Sequence, residues 1–172
     1  RRAIVSDVEP RKSWLKRPPV ANVTAIVLVI AAEEPSFQFD QVSRFLLHAE
    51  QTGLNVILVL SKIDLIDEKR LAFLLKRLND WGYNPEAVSV KNGQGVDHLL
   101  KKLRSTKLSV LCGPSGVGKS SLLQYFLPQT SLRTAPLSSK LKRGRNTTRH
   151  VELFPLGEES LLADTPGFNR PD

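Results

Sequence analysis

Cysteine is almost missing from this chain: Cys112 is the only one in 172 residues. A lone thiol excludes an internal disulfide and a cysteine-based zinc cage, so no zinc is expected, and it fits a reducing compartment. Long hydrophobic runs are also missing. The best candidate, Val23 to Ala32, is about half of the roughly 18 uninterrupted apolar residues that a membrane span requires, so no membrane partner is expected and the chain reads as soluble. There is no methionine, and the chain opens Arg1-Arg2-Ala3, so we expect a segment of a longer protein with any targeting peptide outside it. Acidic residues are absent between Asp97 and Glu152, whereas that interval holds Lys101, Lys102, Arg104, Lys107, Lys119 and a further basic group from Arg133 to Arg149. The net charge of +8 is thus unevenly spread. Such a stretch suits a polyanion, nucleic acid above all, although a basic face that is merely solvated is the plain alternative.

What is present supports one compact domain, since 41% of residues are hydrophobic. Its centre is Gly113-Pro114-Ser115-Gly116-Val117-Gly118-Lys119-Ser120, which fits the phosphate-cradle pattern G-x-x-x-x-G-K-[ST]. Lys107 to Cys112 reads as a short buried strand, and Ser120 to Leu127 has helical apolar spacing, so the glycines fall on a strand-to-helix turn. Glycines at 113, 116 and 118 let successive backbone N–H groups converge on phosphate oxygens at a helix N-terminus. Residues 113 to 120, with Ser121 after them, are the expected phosphate contacts. Lys119 would reach the β and γ phosphates and neutralise charge on the transferring phosphoryl group, and Ser120 offers a hydroxyl to Mg²⁺.

The rest can be read in order. Residues 1 to 22 hold Arg1, Arg2, Arg11, Lys12, Lys16 and Arg17 with three prolines and no sustained period, which predicts a basic tail or linker, with Trp14 as a packing anchor. Val23 to Ala31 is a strand buried on both faces, and Phe37 to Gln51 an amphipathic helix. Asn55 to Leu60 is a second buried strand that delivers Ser61-Lys62-Ile63-Asp64 at its C-terminal end, where open α/β sheets bind ligands. The Asp64 carboxylate can accept both N1–H and the 2-amino group of guanine, a donor pair that adenine lacks, and Lys62 can lay its stem along the base. A helix N-cap made by Asp64 or Asp67 is the bland alternative. Asp67 to Gly82 predicts a helix, Glu86 to Val90 a third strand, and Val96 to Leu103 a helix feeding the phosphate loop.

Pro128 to His150 has no period, and a loop of that length usually carries function. Within it Thr147 or Thr148 could ligate Mg²⁺ and touch the γ phosphate, and the sequence does not choose between them. Val151 to Leu156 and Ser160 to Ala163 predict a hairpin that runs into Asp164-Thr165-Pro166-Gly167. Asp164 at the strand end is placed to support Mg²⁺ through water, and the Gly167 N–H to meet the γ phosphate.

Taken together, Gly113 to Ser120, Asp164 to Gly167, Ser61 to Asp64 and Ser89 to Lys91 resemble the nucleotide-binding elements of GTPases, but in a rotated order, with the base readers ahead of the phosphate loop. With Arg143 to His150 in the long loop, the chain resembles the ribosome small-subunit-dependent GTPase family, a circular permutant. The resemblance covers nearly the whole chain. It implies a P-loop NTPase three-layer α/β sandwich over residues 23–172, with a mostly parallel six-stranded sheet whose strands begin, in spatial order, at 151, 160, 107, 23, 55 and 86. It adds Ser89 and Val90 to the base site, and implies GTP or GDP with Mg²⁺ as ligands. It implies the small ribosomal subunit and its rRNA as partners, hydrolysis of GTP in response to that particle, and a monomer in the bacterial cytoplasm or an organelle. In the family an oligonucleotide-binding barrel precedes this domain and a zinc domain follows it. Ser61 stands where the pattern usually has Asn, Asn146 where the family commonly has His, and Phe168 where many GTPases keep a water-orienting glutamine. An apolar side chain cannot orient water, so slow intrinsic turnover is expected. Two rivals remain at this level: a guanylate-kinase-like enzyme, whose phosphate loop would be expected near the N-terminus, and an RNA-binding module whose nucleotide site is only a scaffold.

Overall fold

Seven consecutive apolar residues, Ala25–Ala31, form a strand in which every side chain is buried. The computed structural model describes residues 7–8, 10–15, 19–128 and 151–164. In chain order the elements are β1 (Trp14–Leu15), β2 (Val20–Ala21), β3 (Ala25–Ala31), α1 (Phe39–Glu50), β4 (Asn55–Ser61), a 3-10 turn (Ile63–Leu65), α2 (Glu68–Asp80), β5 (Glu86–Ala87), α3 (Val96–Arg104), β6 (Leu108–Cys112), α4 (Lys119–Phe126), β7 (Glu152–Pro155) and β8 (Leu161–Asp164).

β3 lies between β4 and β6, parallel to both, which explains its unbroken apolar run: neither face meets water. Ile26, Leu28 and Ile30 face the layer of α1 and α2, where they pack with Phe45, Leu46, Leu74 and Leu78. Val27 and Val29 face α3 and α4, and join Leu99, Leu103, Leu122 and Phe126. Each such large side chain contributes about 1.5–3 kcal/mol by leaving water. The result is a three-layer sandwich whose six-stranded sheet runs β5-β4-β3-β6-β8-β7, the order expected from sequence. Within this six-stranded sheet only the β7–β8 pair is antiparallel among the described residues. The chain builds outward from β3 through β4 to β5, then crosses back under α3 to start β6 on the other side. That reversal opens a crevice at the C-terminal ends of the strands, where ligands of such sheets bind.

The helices start and stop for local reasons. The Asp67 carboxylate accepts from the Arg70 N–H at 2.7 Å and caps α2, and Gly82, at φ 88°, turns the chain away after it. Val42, Phe45, Leu46 and Ala49 place one stripe of α1 inward. Trp81 is half-buried and meets Phe39 edge-on, with ring centroids 5.7 Å apart.

Two features differ from the sequence reading. The stretch before residue 23 is not simply a tail: β1 and β2 pair antiparallel, and Leu15, Val20 and Val23 are buried against Leu108, Val110 and Ala163. They cover the part of the sheet that α1 and α2 do not reach. Trp14 is not the anchor there, for it is 48% exposed under the Arg11 guanidinium, 4.6 Å from its ring centroid. Glu86 to Val90 also gives less strand than expected. β5 stops at Ala87, because the Ser89 N–H turns back to the Gln94 carbonyl at 2.9 Å and leaves the sheet.

Candidate nucleotide-binding site

Two strand ends define the site. β6 ends at Cys112 and passes directly into Gly113, whose φ of 134° and contact with β3 leave no room for a side chain: a Cβ would lie 2.1 Å from the Val29 carbonyl oxygen. The loop then reaches Gly118, at φ 97°, which opens α4 with no side-chain cap. Its first-turn N–H groups are therefore left for another acceptor, and the helix dipole favours an anion there. Lys119 begins the helix. Its ammonium donates to the carbonyls of Gly113 and Pro114, both at 2.7 Å, and so spans the loop it belongs to.

Burial pushes the Lys119 ammonium below its ordinary value, opposed by Asp164 and Cys112. Burial likewise pushes the Cys112 thiol up to about 12, although Lys119 pulls it down. A thiol that stays protonated at neutral pH carries no charge, so Asp164 is the counter-charge that counts. Asp164 ends β8 opposite Leu111 of β6, at the same edge of the sheet as the loop. Ser120 and Ser121 are exposed on the first turn of α4.

β4 ends at Ser61, opposite Ala31 of β3. Lys62 then takes a left-handed conformation, φ 56°, and the 3-10 turn that follows carries Asp64. The Lys62 ammonium donates to the Glu34 carbonyl. Asp64 accepts from the Ser89 hydroxyl at 2.6 Å, and the exposed Lys91 ammonium stands 4.0 Å from its other oxygen. Ser89 is fully buried. The Ser61 hydroxyl is buried too: it donates to the Val117 carbonyl of the phosphate loop at 2.6 Å and lies 3.2 Å from the Ile30 carbonyl.

These elements share one cleft of about 320 Å³ lined by Ser61, Lys62, Asp64 and Val90 from one side and by Val117, Gly118 and Ser121 from the other. Donor N–H groups at one end, with the half-buried Lys119 spanning their loop, and a carboxylate and a lysine stem at the other fit a nucleotide with its phosphates on the loop. Ser120 and Asp164 supply the hard oxygen donors that Mg²⁺ takes. Thr147, Thr148, Gly167, Asn146 and Phe168 lie outside the described residues. Glu34 and Leu65 also line the cleft, and neither carries a motif that points to it. Among the described residues no helix is long and apolar enough to cross a membrane, and no group of three or more His, Cys, Asp or Glu side chains is placed to hold a metal.

The family model described as RsgA GTPase matches residues 8–172. The chain belongs to the RsgA GTPase family. It is 63% identical over its whole length to a "Small ribosomal subunit biogenesis GTPase RsgA" from Prochlorococcus marinus strain MIT 9313, covering 54% of that protein. It is 60% identical to the protein of the same description from Synechococcus sp. strain CC9605, with 99% of this chain and 56% of that one covered. The chain thus spans about half the length of the curated RsgA relatives it matches. Among solved structures, YjeQ from Thermotoga maritima superposes with a TM-score of 0.73 at 34% identity, over 95% of this chain and 55% of that one. YloQ, described as a circularly permuted GTPase, gives 0.71 at 32% identity over 96% and 52%. The fold of this RsgA-family chain is that of a circularly permuted GTPase, which accounts for base-side turns that precede the phosphate loop.

Proposed function

We propose that the chain is the GTP-hydrolysing part of a factor in late maturation of the small ribosomal subunit, whose rRNA-containing particle stimulates it. The observation that carries this reading is the shared cleft: the turn bearing Asp64 and the loop bearing Val117 and Gly118 line one cavity. In this reading Asp64 accepts the two donors of guanine, the Lys62 stem lies along the base, and Ser89 and Val90 close its edge. The phosphates lie on the backbone N–H groups of residues 113 to 121. Lys119 neutralises charge on the γ phosphoryl group as it transfers to water, and the Gly167 N–H meets that same group. Mg²⁺, held by Ser120 and either Thr147 or Thr148 with Asp164 supporting it through water, would draw off charge from the bridging oxygens. Phe168 offers no hydrogen bond to the attacking water, so the particle completes the site and intrinsic turnover is slow. The description that its relatives carry supports a partner in ribosome assembly, and the chain would act as a monomer in the bacterial cytoplasm. An oligonucleotide-binding barrel ahead of the domain and a zinc domain after it complete the proposed whole.

Phosphate accounting tests it. GTP with Mg²⁺ should yield GDP and inorganic phosphate, faster when small subunits are added, and Lys119→Ala should abolish the yield. ADP formed from ATP plus GMP would overturn it in favour of a kinase. Unchanged RNA affinity and no hydrolysis in either form would leave only a binding module.

A further inference from the structure

We infer that Glu86, clamped by His98 and Lys102, is a positioning residue that sets the guanine end of the cleft. The inference rests on the nucleotide reading above. β5, the edge strand that carries the Ser89–Lys91 turn, is only two residues long and joins the sheet through two registered pairs, Glu86 with Val59 and Ala87 with Leu60. A strand that short holds itself poorly, because few ladder bonds oppose fraying at an edge.

Its further support comes from α3. The Glu86 carboxylate, 13% exposed, is 2.8 Å from His98 Nδ1 and accepts from the Lys102 ammonium at 2.7 Å. The two partners are one turn apart on α3 and grip both oxygens. Beside them Gly95, which opens α3, approaches so closely that a Cβ would lie 2.2 Å from the Ala87 carbonyl oxygen. Helix and strand are thus fixed face to face, and the chain between them is the turn at 88–94.

That turn is tied to the base reader at three points: the Ser89 hydroxyl donates to Asp64 at 2.6 Å, the exposed Lys91 ammonium stands 4.0 Å from the other Asp64 oxygen, and the Ile63 N–H donates to the Val88 carbonyl at 3.3 Å. Ser89 is three residues from Glu86, within about 10 Å along an extended chain. A shift of an ångström at β5 would break a bond this short, and Asp64 would lose the donor that aims its carboxylate. The clamp therefore acts on the base through Ser89 and Asp64.

The test compares GDP with IDP, whose base keeps N1–H but lacks the 2-amino group, in titration calorimetry of the protein and its variants. Glu86→Gln, and separately His98→Asn and Lys102→Gln on the outside of the clamp, should weaken GDP binding by about three- to tenfold, the range of one net hydrogen bond. IDP binding should change less, so the GDP-to-IDP ratio falls, and Glu86→Asp should restore part of it. Asp80→Asn, which breaks the exposed Lys76–Asp80 pair elsewhere, is the control and should leave the ratio unchanged. Equal losses for both nucleotides, or no loss in any clamp variant, would overturn the inference. A wild-type protein that fails to prefer GDP to ADP would instead overturn the guanine reading itself, and the inference with it.

Discussion

The Ser61 hydroxyl ties the end of β4 to the phosphate loop by donating to the Val117 carbonyl at 2.6 Å, from a position only 3% exposed. The base end and the phosphate end of the cleft are therefore one mechanical unit, although 56 residues separate the partners. Replacing Ser61 by Ala strands a buried carbonyl, at a cost of about 1–3 kcal/mol. We expect the melting temperature to fall by about 2–12 °C, at roughly 2–4 °C per kcal/mol for a chain of this size. Affinity for GTP and GDP should fall together in calorimetry, because the tie serves both ends.

Glycines in the phosphate loop should not be equivalent. Gly113→Ala meets the Val29 carbonyl at 2.1 Å, whereas a Cβ at Gly118 meets nothing within 4 Å. Both carry the strain of a positive φ, of order 1–3 kcal/mol. Only the first adds a clash with the central strand. Thermal denaturation should therefore show Gly113→Ala destabilised well beyond Gly118→Ala, and equal losses would contradict the packing of the loop on β3.

Asp64→Asn should change which base is preferred. An amide keeps one acceptor and gains a donor, which suits the 2-carbonyl of xanthine in place of the 2-amino group of guanine. The GDP-to-XDP affinity ratio should fall by more than about a hundredfold, the scale on which a buried polar mismatch discriminates. An unchanged ratio would mean that Asp64 does not read the base.

Stability should depend on Glu86 in acid. Burial tends to raise its carboxyl, but the bonds and charges of Lys102 and His98 outweigh burial and hold it below the ordinary glutamate value. A folded-state value lowered in this way gives stability that is present above the unfolded value and is lost as pH falls through the folded one. Melting curves of the wild type and of Glu86→Gln should accordingly differ at neutral pH and converge below about pH 4, near the ordinary carboxyl range.

Much of this architecture is legible in the amino-acid order, for identifiable reasons. A run such as Ala25–Ala31 has no polar position to spare for water, so it must be a strand covered on both sides. The spacing of Gly113, Gly116, Gly118 and Lys119 admits few backbones. What stays hidden depends on partners far along the chain or on backbone alone. Leu15 and Val20 sit in strands two residues long among prolines and basic residues, too short for a period to register, yet both are buried. Nothing local announces that Glu86 will find His98 and Lys102, 12 and 16 residues on, or that the Ser61 hydroxyl will turn toward Val117. Glu34 lines the cleft through its position beside Lys62, which no motif records.

The placing of β3 between β4 and β6 also has a consequence for synthesis. Its partner on one side, β4, leaves the ribosome soon after it, but β6 follows only after roughly 80 residues, or about 4–16 s at ordinary elongation rates. Throughout that interval the most apolar strand of the sheet has one open edge, a template for pairing with another nascent chain. A chain ending after Arg104 should collect in the pellet on centrifugation, whereas one extended through β6 and α4 should stay in the supernatant. The whole stretch from α1 to α3 that separates β3 from β6 thus also sets how long the unfinished sheet is exposed to its neighbours.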